Sequence, residues 1–340
     1  MGGTIKAYRT ALILTGAEAL YGVQIGDGSL TKWIETNEFQ PGKVEKQYRT
    51  DQNRINGLRG MSQRQLKGAM GTIQRTMDAN VEVLTALLAL GLTNVSSSGS
   101  VDPWTHTIKH PPVCTLVPKS TSLIEGIVCA GLTSGYKLHK GAVLDQIAIE
   151  MEGAQEPVKL SWTWKTDGSE TTKSSFTFPT ATETLTYLLG SMLTLQLYPN
   201  GGGSIDITSL LNSFKITINF GVTPRKASSS SVFVSGYRYS GDAPLIDIEF
   251  QVSADKSHAI YGYHEADTLL TLVATFDAGT TPARSVVCSV SNCYLNAEED
   301  ADDIEPVLNC KVEALDIAAN TGPSVWTCKT GEAAYLTPLP

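Results

Sequence analysis

A pair of histidines is the first group in this sequence whose type and spacing could support chemistry. His106 and His110 are four residues apart, a spacing that would place both side chains on one face of a helix, where they could bind a metal ion. The neighbouring threonines favour a strand, however, and two prolines follow directly. On a strand the two side chains would lie about 13 Å apart, too far for one ion. We therefore predict ordinary surface or inter-subunit histidines.

Two acidic segments could in principle support catalysis or calcium binding. Residues 261–267, YGYHEAD, place His264 beside Glu265, but the second histidine of a zinc-protease motif is missing. Residues 297–305, AEEDADDIE, lack the alternating acidic order and the central glycine of a calcium loop. We predict a loop or short turn for the first segment and an exposed acidic loop for the second.

The remaining motifs of enzymes and cofactor sites are missing from the sequence. Residues 200–204, NGGGS, fall between two predicted strands and indicate a turn. There is no GxxxxGK[ST] phosphate loop and no GxSxG nucleophile motif. The six cysteines form no CxxC pair, so free thiols in a reducing cytoplasm are expected. We predict that the protein is not an enzyme and uses no cofactor.

Composition indicates a β-rich protein that does not bind nucleic acid. Of the 340 residues, 41% are hydrophobic and only 18% are charged, whereas about a quarter is usual for charged residues. Abundant Thr and Ser suit sheet surfaces, and a low charge density suits a subunit that neighbours cover. The net charge of −8 opposes binding to phosphates.

One segment of the chain predicts a buried helix. The longest apolar run, VLTALLALGL at residues 83–92, is far shorter than the ~20 residues that span a bilayer. Asp78 can cap this helix, which would run to about Leu90 and stop at Gly91. No N-terminal signal peptide is visible, and we predict no membrane association.

The N-terminal segment, residues 1–77, has little apolar density and a long polar stretch punctuated by turn signals. We predict an extended arm and long loop with one short strand at most, and expect a loop of this length to lie on a partner. Within it Arg49, Arg54, Arg59 and Arg64 recur at five-residue steps. We interpret them as residues that face a neighbouring subunit rather than as a phosphate-binding strip.

Alternating apolar residues predict many strands after Trp104, and one pattern occurs twice. Residues 144–153, LDQIAIEMEG, and 211–220, LNSFKITINF, share a polar start followed by large apolar residues at every second position. We interpret the two copies as a tandem repeat of β-sandwich or half-barrel units. The first unit and its flanking helix would occupy residues 78–180, and the second would occupy residues 181–340.

The order of these parts resembles that of the phage tail tube proteins, the major tail proteins of long-tailed siphophages. The segments that carry the resemblance are GAEALYG near the N-terminus, the polar arm, LKGAMGTIQRTMDANVEVLTALLALG, WTHTI, LNSFKITINFG and SVFVSGYRY. The resemblance implies a mainly β fold with a flanking helix, and an arm that reaches the next ring. It also implies stacked rings around a DNA-conducting channel. The expected location is the virion, after synthesis in the host cytoplasm.

The resemblance also implies partners and candidate sites. The chain would assemble with itself and with the tape measure, terminator and distal tail proteins, while DNA passes through without specific binding. Alternation on the two similar strands separates the core side from a polar side, which we expect to line the channel. The candidate lumen-facing residues are Glu150, Glu152, Lys215, Thr217 and Asn219. The four arginines named above are the candidate inter-ring residues.

If one chain carries two β units, three chains would supply the six positions of a tail-tube ring. We therefore predict a trimer with pseudo-sixfold symmetry over a hexamer. The alternative function is a β-sandwich carbohydrate-binding or adhesin module, in which exposed aromatic residues would stack on sugars. Its candidates are Trp162, Trp164, Tyr237 and Tyr239. The shared face of the tryptophan pair favours a core or interface position instead, and the missing secretion signal favours the tube.

Overall fold

The structure is a computed structural model. It describes residues 7–11, 16–30, 33–35, 42–51, 54–55, 58–59, 63–110, 117–128, 136–174, 176–177, 185–200, 202–225, 233–239, 245–300, 306–315, 322–335 and 337–339. These residues form a mainly β fold with two α-helices, which confirms the predicted fold class.

The described residues of the first half form thirteen strands and one helix. In chain order they are β1 (Ala7–Ala11), β2 (Gly16–Glu18), β3 (Trp33–Glu35), β4 (Lys43–Asp51), β5 (Arg54–Ile55), β6 (Leu58–Arg59), β7 (Gln63–Asp78), α1 (Val81–Leu92), β8 (Asn94–Ser98), β9 (Trp104–Lys109), β10 (Thr121–Val128), β11 (Tyr136–Met151), β12 (Lys159–Thr166) and β13 (Glu170–Lys173).

The second half contributes eleven strands and a short helix within the described ranges. They are β14 (Leu193–Pro199), β15 (Ile205–Asp206), β16 (Leu211–Asn219), β17 (Val222–Arg225), β18 (Gly236–Tyr239), β19 (Leu245–Ser253), α2 (Ala259–Glu265), β20 (Leu270–Asp277), β21 (Ser285–Asp300), β22 (Val307–Ala314), β23 (Ser324–Thr330) and β24 (Thr337–Leu339).

Eight of these strands form one continuous antiparallel sheet, which we call the central sheet. Its order is β4, β7, β12, β11, β16, β19, β22, β21. Alternate residues on one face are buried in the main hydrophobic core, as Ile147 and Ile149 of β11 show. The other face carries polar and charged side chains, so a single face of this sheet builds the core.

The central sheet consists of two sets of four strands with the same connections. In the first set β4 and β7 form a hairpin, β7 pairs with β12, and β12 pairs with β11. In the second set β16 and β19 form a hairpin, β19 pairs with β22, and β22 pairs with β21. Both β11 and β21 have 16 residues. Equivalent strands also run in the same direction. In an antiparallel sheet strand direction alternates, and equivalent strands of the two sets are four positions apart.

The rest of the chain repeats in the same way. The N-terminal part of β11 pairs with β10 and β13, and that of β21 pairs with β20 and β23. β1 lies between β3 and β10 and pairs with both, and β14 lies in the same way between β15 and β20. A helix follows both β7 and β19. The chain therefore contains two β units of equal topology, β1 to β13 and β14 to β23.

The hairpin of β8 and β9 has no counterpart in the second unit. β9 pairs with β23, so this hairpin of the first unit extends a sheet of the second. The buried helix α1 packs against strands of both units, including β11 and β21. These contacts join the two units around one core. The predicted boundary at residue 180 falls between β13 and β14, whereas the predicted boundary at residue 77 cuts through β7.

The repeat predicted from the sequence paired the wrong strands. β11 and β16 are not equivalent copies but antiparallel neighbours, with Ile147 opposite Ile218 and Ile149 opposite Ile216. Their patterns agree because they cover the same patch of core from adjacent positions. The true counterpart of β11 is β21, whose apolar side chains are smaller and whose pattern is harder to match.

The N-terminal segment is more ordered than the predicted loop with one short strand. β4 and β7 pair from Lys43 opposite Thr72 to Asp51 opposite Gln63, and β5 pairs with β6 near the tip. A second prediction, that this segment lacks core residues, is also wrong. Ile25 and Trp33 form a small buried cluster with residues of β10 and β11.

The helix α1 is buried as predicted, but its ends are not the predicted ones. Asn80 rather than Asp78 is the N-cap, because its side chain accepts a hydrogen bond from the Val83 amide at 2.8 Å. Gly91 lies inside the helix instead of stopping it. A Cβ atom at Gly91 would lie 2.3 Å from the Phe220 ring, so packing requires glycine there. Thr93, in the left-handed conformation, is the C-cap.

Some of the other local predictions are confirmed and others are wrong. The strand at WTHTI is β9, and the glycine-rich turn joins β14 to β15. Between β16 and β19, strands β17 and β18 pair with each other. The serine-rich residues 96–98 belong to strand β8. Residues 261–267 belong mostly to helix α2 rather than to a loop. Residues 297–300 of the predicted acidic loop are the end of β21, and residues 301–305 lie outside the described ranges.

Candidate assembly and channel surfaces

The polar face of the central sheet carries the predicted lumen-facing residues. Glu150 lies on β11 and is half-buried, as are Lys215, Thr217 and Asn219 on the neighbouring strand β16. Each lies between core-facing neighbours in sequence, which places it on the opposite side of the sheet from the core. Glu152 follows the end of β11 and is exposed. The structure thus brings four of the five candidates together on one face, with the fifth at its rim.

Cross-strand ion pairs connect the strands on this face. The Lys215 Nζ lies 3.1 Å from Glu150 Oε1, joining β16 to β11. The Lys311 Nζ lies 3.1 Å from Asp247 Oδ1 and 3.2 Å from Glu249 Oε1, joining β22 to β19. Each of these side chains is more than a third exposed, so the pairs add little to stability. Their main effect is to neutralise part of the charge of the face.

Acidic residues outnumber basic ones on the polar face. Outside residues 46–70, alternation along the eight strands places eight carboxylates and five basic residues, all lysines, on this side of the sheet. The carboxylates are those of Glu45, Asp78, Glu150, Asp247, Glu249, Glu298, Asp300 and Glu313. The lysines are Lys43, Lys159, Lys165, Lys215 and Lys311. The face therefore has a net negative charge, as expected for a surface that does not retain phosphate groups.

The same face is hollowed across its second half. A depression of about 580 Å³ spans β11, β16, β19, β22 and β21. Polar side chains line much of it, among them Glu150, Lys215, Glu249, Glu298 and Lys311. These side chains border a recess in the polar face of the sheet.

Both outer edges of the central sheet are open in the described part of the chain. β21 pairs with β22 along one side of residues 293–300, and β4 pairs with β7 along one side. No described strand pairs with the other side of residues 294–299 or with the other side of β4. Open strand edges present rows of unpaired amides and carbonyls, which are templates for another chain.

The β4–β7 hairpin extends well beyond the central sheet. β7 pairs with β12 only from Gly71 to Asp78, so residues 46–51 of β4 and 63–70 of β7 pair with each other beyond the central sheet. We call these residues, together with β5 and β6, the ribbon. All four predicted inter-ring arginines lie on it. In the backbone register Arg49 pairs with Gln65 and Arg64 with Thr50 on the long strands, and Arg54 pairs with Arg59 between β5 and β6.

A buried charge cluster at the base of this ribbon was not predicted from the sequence. The Glu125 carboxylate on β10 accepts hydrogen bonds from the guanidinium of Arg75 and, at 3.0 Å, from the backbone amide of Gly42 just before β4. Nε2 of His139 lies 3.0 Å from the same carboxylate. The one sequence signal is a charged residue, Arg75, at a core-facing position between Ile73 and Met77. The cluster fixes the point at which the ribbon leaves the fold.

The two histidines of the metal-like spacing are core residues, and the predicted surface position is wrong. Nε2 of His106 lies 2.9 Å from the Glu332 carbonyl oxygen, and Nε2 of His110 lies 2.9 Å from Ser324 Oγ. Burial lowers the pKa of His110 to about 4, so the ring stays neutral at neutral pH. Within the described ranges no group of three histidine, cysteine or acidic side chains could hold a metal ion.

The aromatic residues considered for sugar stacking are all buried. Trp162 and Trp164 are 3% and 2% exposed, which confirms the core position favoured for this pair. The hydroxyl of Tyr237 donates to the Thr166 carbonyl and that of Tyr239 to the Gly91 carbonyl, both at 2.8 Å. These two tyrosines hold the β17–β18 hairpin against the first unit. None of the four presents a ring face to solvent, so the adhesin hypothesis loses its candidate residues.

Comparison with known proteins adds no relative. No family model matches the chain, and no curated protein matches it. Over the part of the chain that the structure describes, neither helix has the length and apolar character needed to cross a membrane.

Proposed function

We propose that this protein is the structural subunit of a phage tail tube, which self-assembles into stacked rings that form a hollow channel for DNA. The observation that carries the proposal is the central sheet. It is a continuous antiparallel wall with a core on one face, an acidic polar face that contains a recess, and an outer edge on each side. No described strand covers β4 or residues 294–299 of β21, and further copies of the chain can pair with these edges.

The charge of the polar face suits passage of DNA without binding. Proteins that hold DNA neutralise several phosphates with clustered lysine and arginine. Here carboxylates exceed lysines by eight to five, and several lysines are paired with neighbouring carboxylates. At physiological salt the field of such a wall decays over about 8 Å. A passing duplex would be kept from the wall at short range and would not be retained.

The projecting β4–β7 ribbon supports stacking of rings. A two-stranded hairpin is marginally stable by itself in water, so a ribbon of this length is expected to gain contacts from a partner. Its arginines can pair with acidic groups of an adjacent ring. Other tail proteins, namely the tape measure, terminator and distal tail proteins, would meet the tube in its interior or at its ends. The proposed location is the virion, after synthesis in the host cytoplasm.

The proposed role involves neither turnover nor a cofactor. The alternative function, a carbohydrate-binding or adhesin module, has no observation in its favour, because its aromatic candidates are buried. We therefore retain a single function.

Electron microscopy of the purified protein tests this proposal. Concentrated chain in negative stain, at physiological salt and with crowding agent, should show rings or hollow rods. Sedimentation velocity over a concentration series should show a corresponding loss of the single subunit. A chain that stays a folded monomer at high concentration, with no rings or rods in any condition, would contradict the proposal.

A further inference from the structure

We infer that Glu125 is a positioning residue for the ribbon, and that the buried polar cluster around it is not needed for the β unit to fold. This role rests on the proposed function, in which the ribbon joins one ring to the next. It adds to that function a division between the groups that stabilise the fold and the groups that direct the ribbon.

The Glu125 carboxylate joins several elements at one point. It lies on β10 and accepts hydrogen bonds from the Arg75 guanidinium of β7 and, at 3.0 Å, from the Gly42 amide directly before β4. Nε2 of His139, on β11, lies 3.0 Å from the same carboxylate. Nε of Arg75 also donates to Thr10 Oγ1 of β1 at 3.3 Å. Because β4 and β7 continue into the ribbon, Glu125 holds the chain at the root of both ribbon strands.

The cluster is shielded from solvent. Arg75 and Glu125 are each 2% exposed, and His139 is fully buried. The close approach of the chain depends on glycine at position 42, because a Cβ atom there would lie 2.8 Å from Ile73 Cγ1 and 3.0 Å from His139 Cε1. A buried ion pair loses its hydration, so well-packed apolar residues of similar volume often stabilise a fold equally well or better. Stability alone therefore does not explain the cluster.

The second unit allows a comparison with the first, position by position. The long strands β11 and β21 each contain one extra residue against their neighbours β10 and β20. A residue with positive φ lies at that point in each, Gly141 at 58° and Asn292 at 55°. β12 and β22 both have eight residues, and the first residue of each closes the pairing with the long strand. These landmarks fix which residues of the two units are equivalent.

The second unit is apolar where the first has the cluster. Counting from the landmarks, the counterparts of Gly42, Arg75, Glu125 and His139 are, in that order, Ile216, Phe250, Ala274 and Val290. All four counterparts are buried in the main core. The same sandwich thus closes around apolar side chains at this place. The first unit differs there by the root of the ribbon, since the pairing of β16 with β19 ends at Asn219 opposite Leu245.

Polar contacts can fix a direction that apolar packing does not. Apolar contacts are non-directional, whereas a carboxylate accepts hydrogen bonds along defined directions. Releasing any donor of the cluster would leave a buried polar group without its partner, so the arrangement is held as one state. Glu125 acts through Gly42 and Arg75 on the two ribbon strands. A ribbon with a fixed root meets an adjacent ring at one place.

Grafting residues of the second unit into the first tests this role. The graft variant, Arg75→Phe/Glu125→Ala/His139→Val, removes the cluster and supplies the apolar side chains that the chain already uses in its second unit. Its urea midpoint should equal or exceed that of the unmodified chain. Hydrogen–deuterium exchange of the dilute, dissociated chain should be about tenfold faster or more in residues 43–51 and 63–70. Exchange in the second unit should not change.

A conservative substitution and a matched control complete the test. Glu125→Gln keeps the shape and one acceptor oxygen but removes the charge, so exchange at the ribbon root should be intermediate. The control is Glu18→Gln, which changes another buried carboxylate of the first unit, one that accepts hydrogen bonds from Ser120 and Ser122 rather than from the ribbon root. Exchange at the ribbon root should be unchanged in this control. In electron micrographs the graft variant should give rings but rods less than half as long as those of the unmodified chain.

The outcomes separate the positioning role from the proposed function. A graft variant that does not fold would contradict the claim that the fold does not need the cluster. Root exchange as slow in the graft variant and in Glu125→Gln as in the unmodified chain would overturn the positioning role, whatever the state of assembly. Rods of normal length from a graft variant with fast root exchange would overturn the link to stacking. If the unmodified chain never assembles, the proposed function is wrong, while the exchange measurements still decide whether Glu125 positions the ribbon.

Discussion

The imidazole of His110 is buried just after β9, where Nε2 contacts Ser324 and Nδ1 has no hydrogen-bond partner among the described residues. Burial lowers its pKa from 6.5 to about 4. The folded state therefore holds the neutral ring, and the unfolded chain binds a proton more readily as the pH falls. His110 has no effect on the pH dependence above pH 6.5 and costs stability between pH 6.5 and pH 4.

Acidification should therefore destabilise the fold in part through this residue. Between pH 6.5 and pH 5 we expect His110 to lower the free energy of unfolding by about 2 kcal/mol. The free energy of unfolding of the His110→Gln variant should fall less between pH 6.5 and pH 5 than that of the unmodified chain. At neutral pH we expect the variant to be less stable. Urea unfolding of dilute, dissociated chain at the two pH values measures the difference. The control is His264→Gln, on α2. If the free energy of unfolding changes with pH equally in His110→Gln and in the unmodified chain, the expectation is wrong.

Individual residues show where sequence patterns succeed. The alternation of Ile147 and Ile149 with Ala148 and Glu150 predicts a strand with one core face and one polar face, and the structure has both. The same pattern contains no information on which strand lies beside it. The buried pair of Arg75 and Glu125 was missed because each residue alone is an ordinary charged residue, and only the fold brings the two together.

At the scale of elements, the projecting ribbon is the part least visible in the sequence. Strands are recognised by an apolar face that packs on a core. The strands of the ribbon extend past the part of β7 that pairs with β12, and their sequence has no alternating apolar pattern. The ribbon is defined instead by backbone pairing between its two strands, which apolar alternation does not reveal. Polar composition therefore led to the prediction of a loop.

Shortening the ribbon should separate ring formation from stacking. Gln47 lies opposite Gly68, so residues 48–67 can be replaced by Asn-Gly, the preferred two-residue hairpin turn. The shortened chain should fold and form rings but should not build long rods. Rod length in negative stain and the ring peak in gel filtration are the measurements. Rods of normal length would show that the ribbon does not join rings.

A full-length control separates the shape of the ribbon from its charge. The control variant keeps both strands and replaces the four arginines of the ribbon with glutamine. If ion pairs hold the rings together, its rods should be short at low salt, where those of the unmodified chain are long. The residues replaced are Arg49, Arg54, Arg59 and Arg64.

At the scale of the whole molecule, the acidic wall can be tested by reversing its charge. Glu150→Lys, Glu249→Lys and Glu313→Lys together change eight carboxylates and five lysines into five carboxylates and eight lysines. Rods of this variant should bind duplex DNA at low salt and release it as salt rises. Retention of labelled DNA by sedimented rods is the measurement.

The matched control places the same charge elsewhere. Asp255→Lys, Glu265→Lys and Asp277→Lys alter the net charge equally, but these residues lie away from the central sheet's polar face. This variant should not trap DNA inside rods. If the two variants retain DNA equally, or if neither does, the polar face does not line the channel.

In the proposed tube, the number of strands in the wall would set the width of the channel. Three copies of eight strands, spaced about 4.8 Å apart, give a backbone circumference of about 115 Å and a diameter near 37 Å before tilt is included. Two copies would close at about 25 Å, which side chains would largely fill. Six copies would give about 73 Å, much wider than one duplex needs.

Covalent linkage of the two units changes how assembly responds to dilution. In a ring of three copies, half of the contacts between units are already made when each chain folds, at an effective concentration that dilution does not alter. The yield of rings then follows the third power of the free chain concentration, whereas six separate units would follow the sixth power. A ring of linked units therefore persists at dilutions at which six independent units would fall apart.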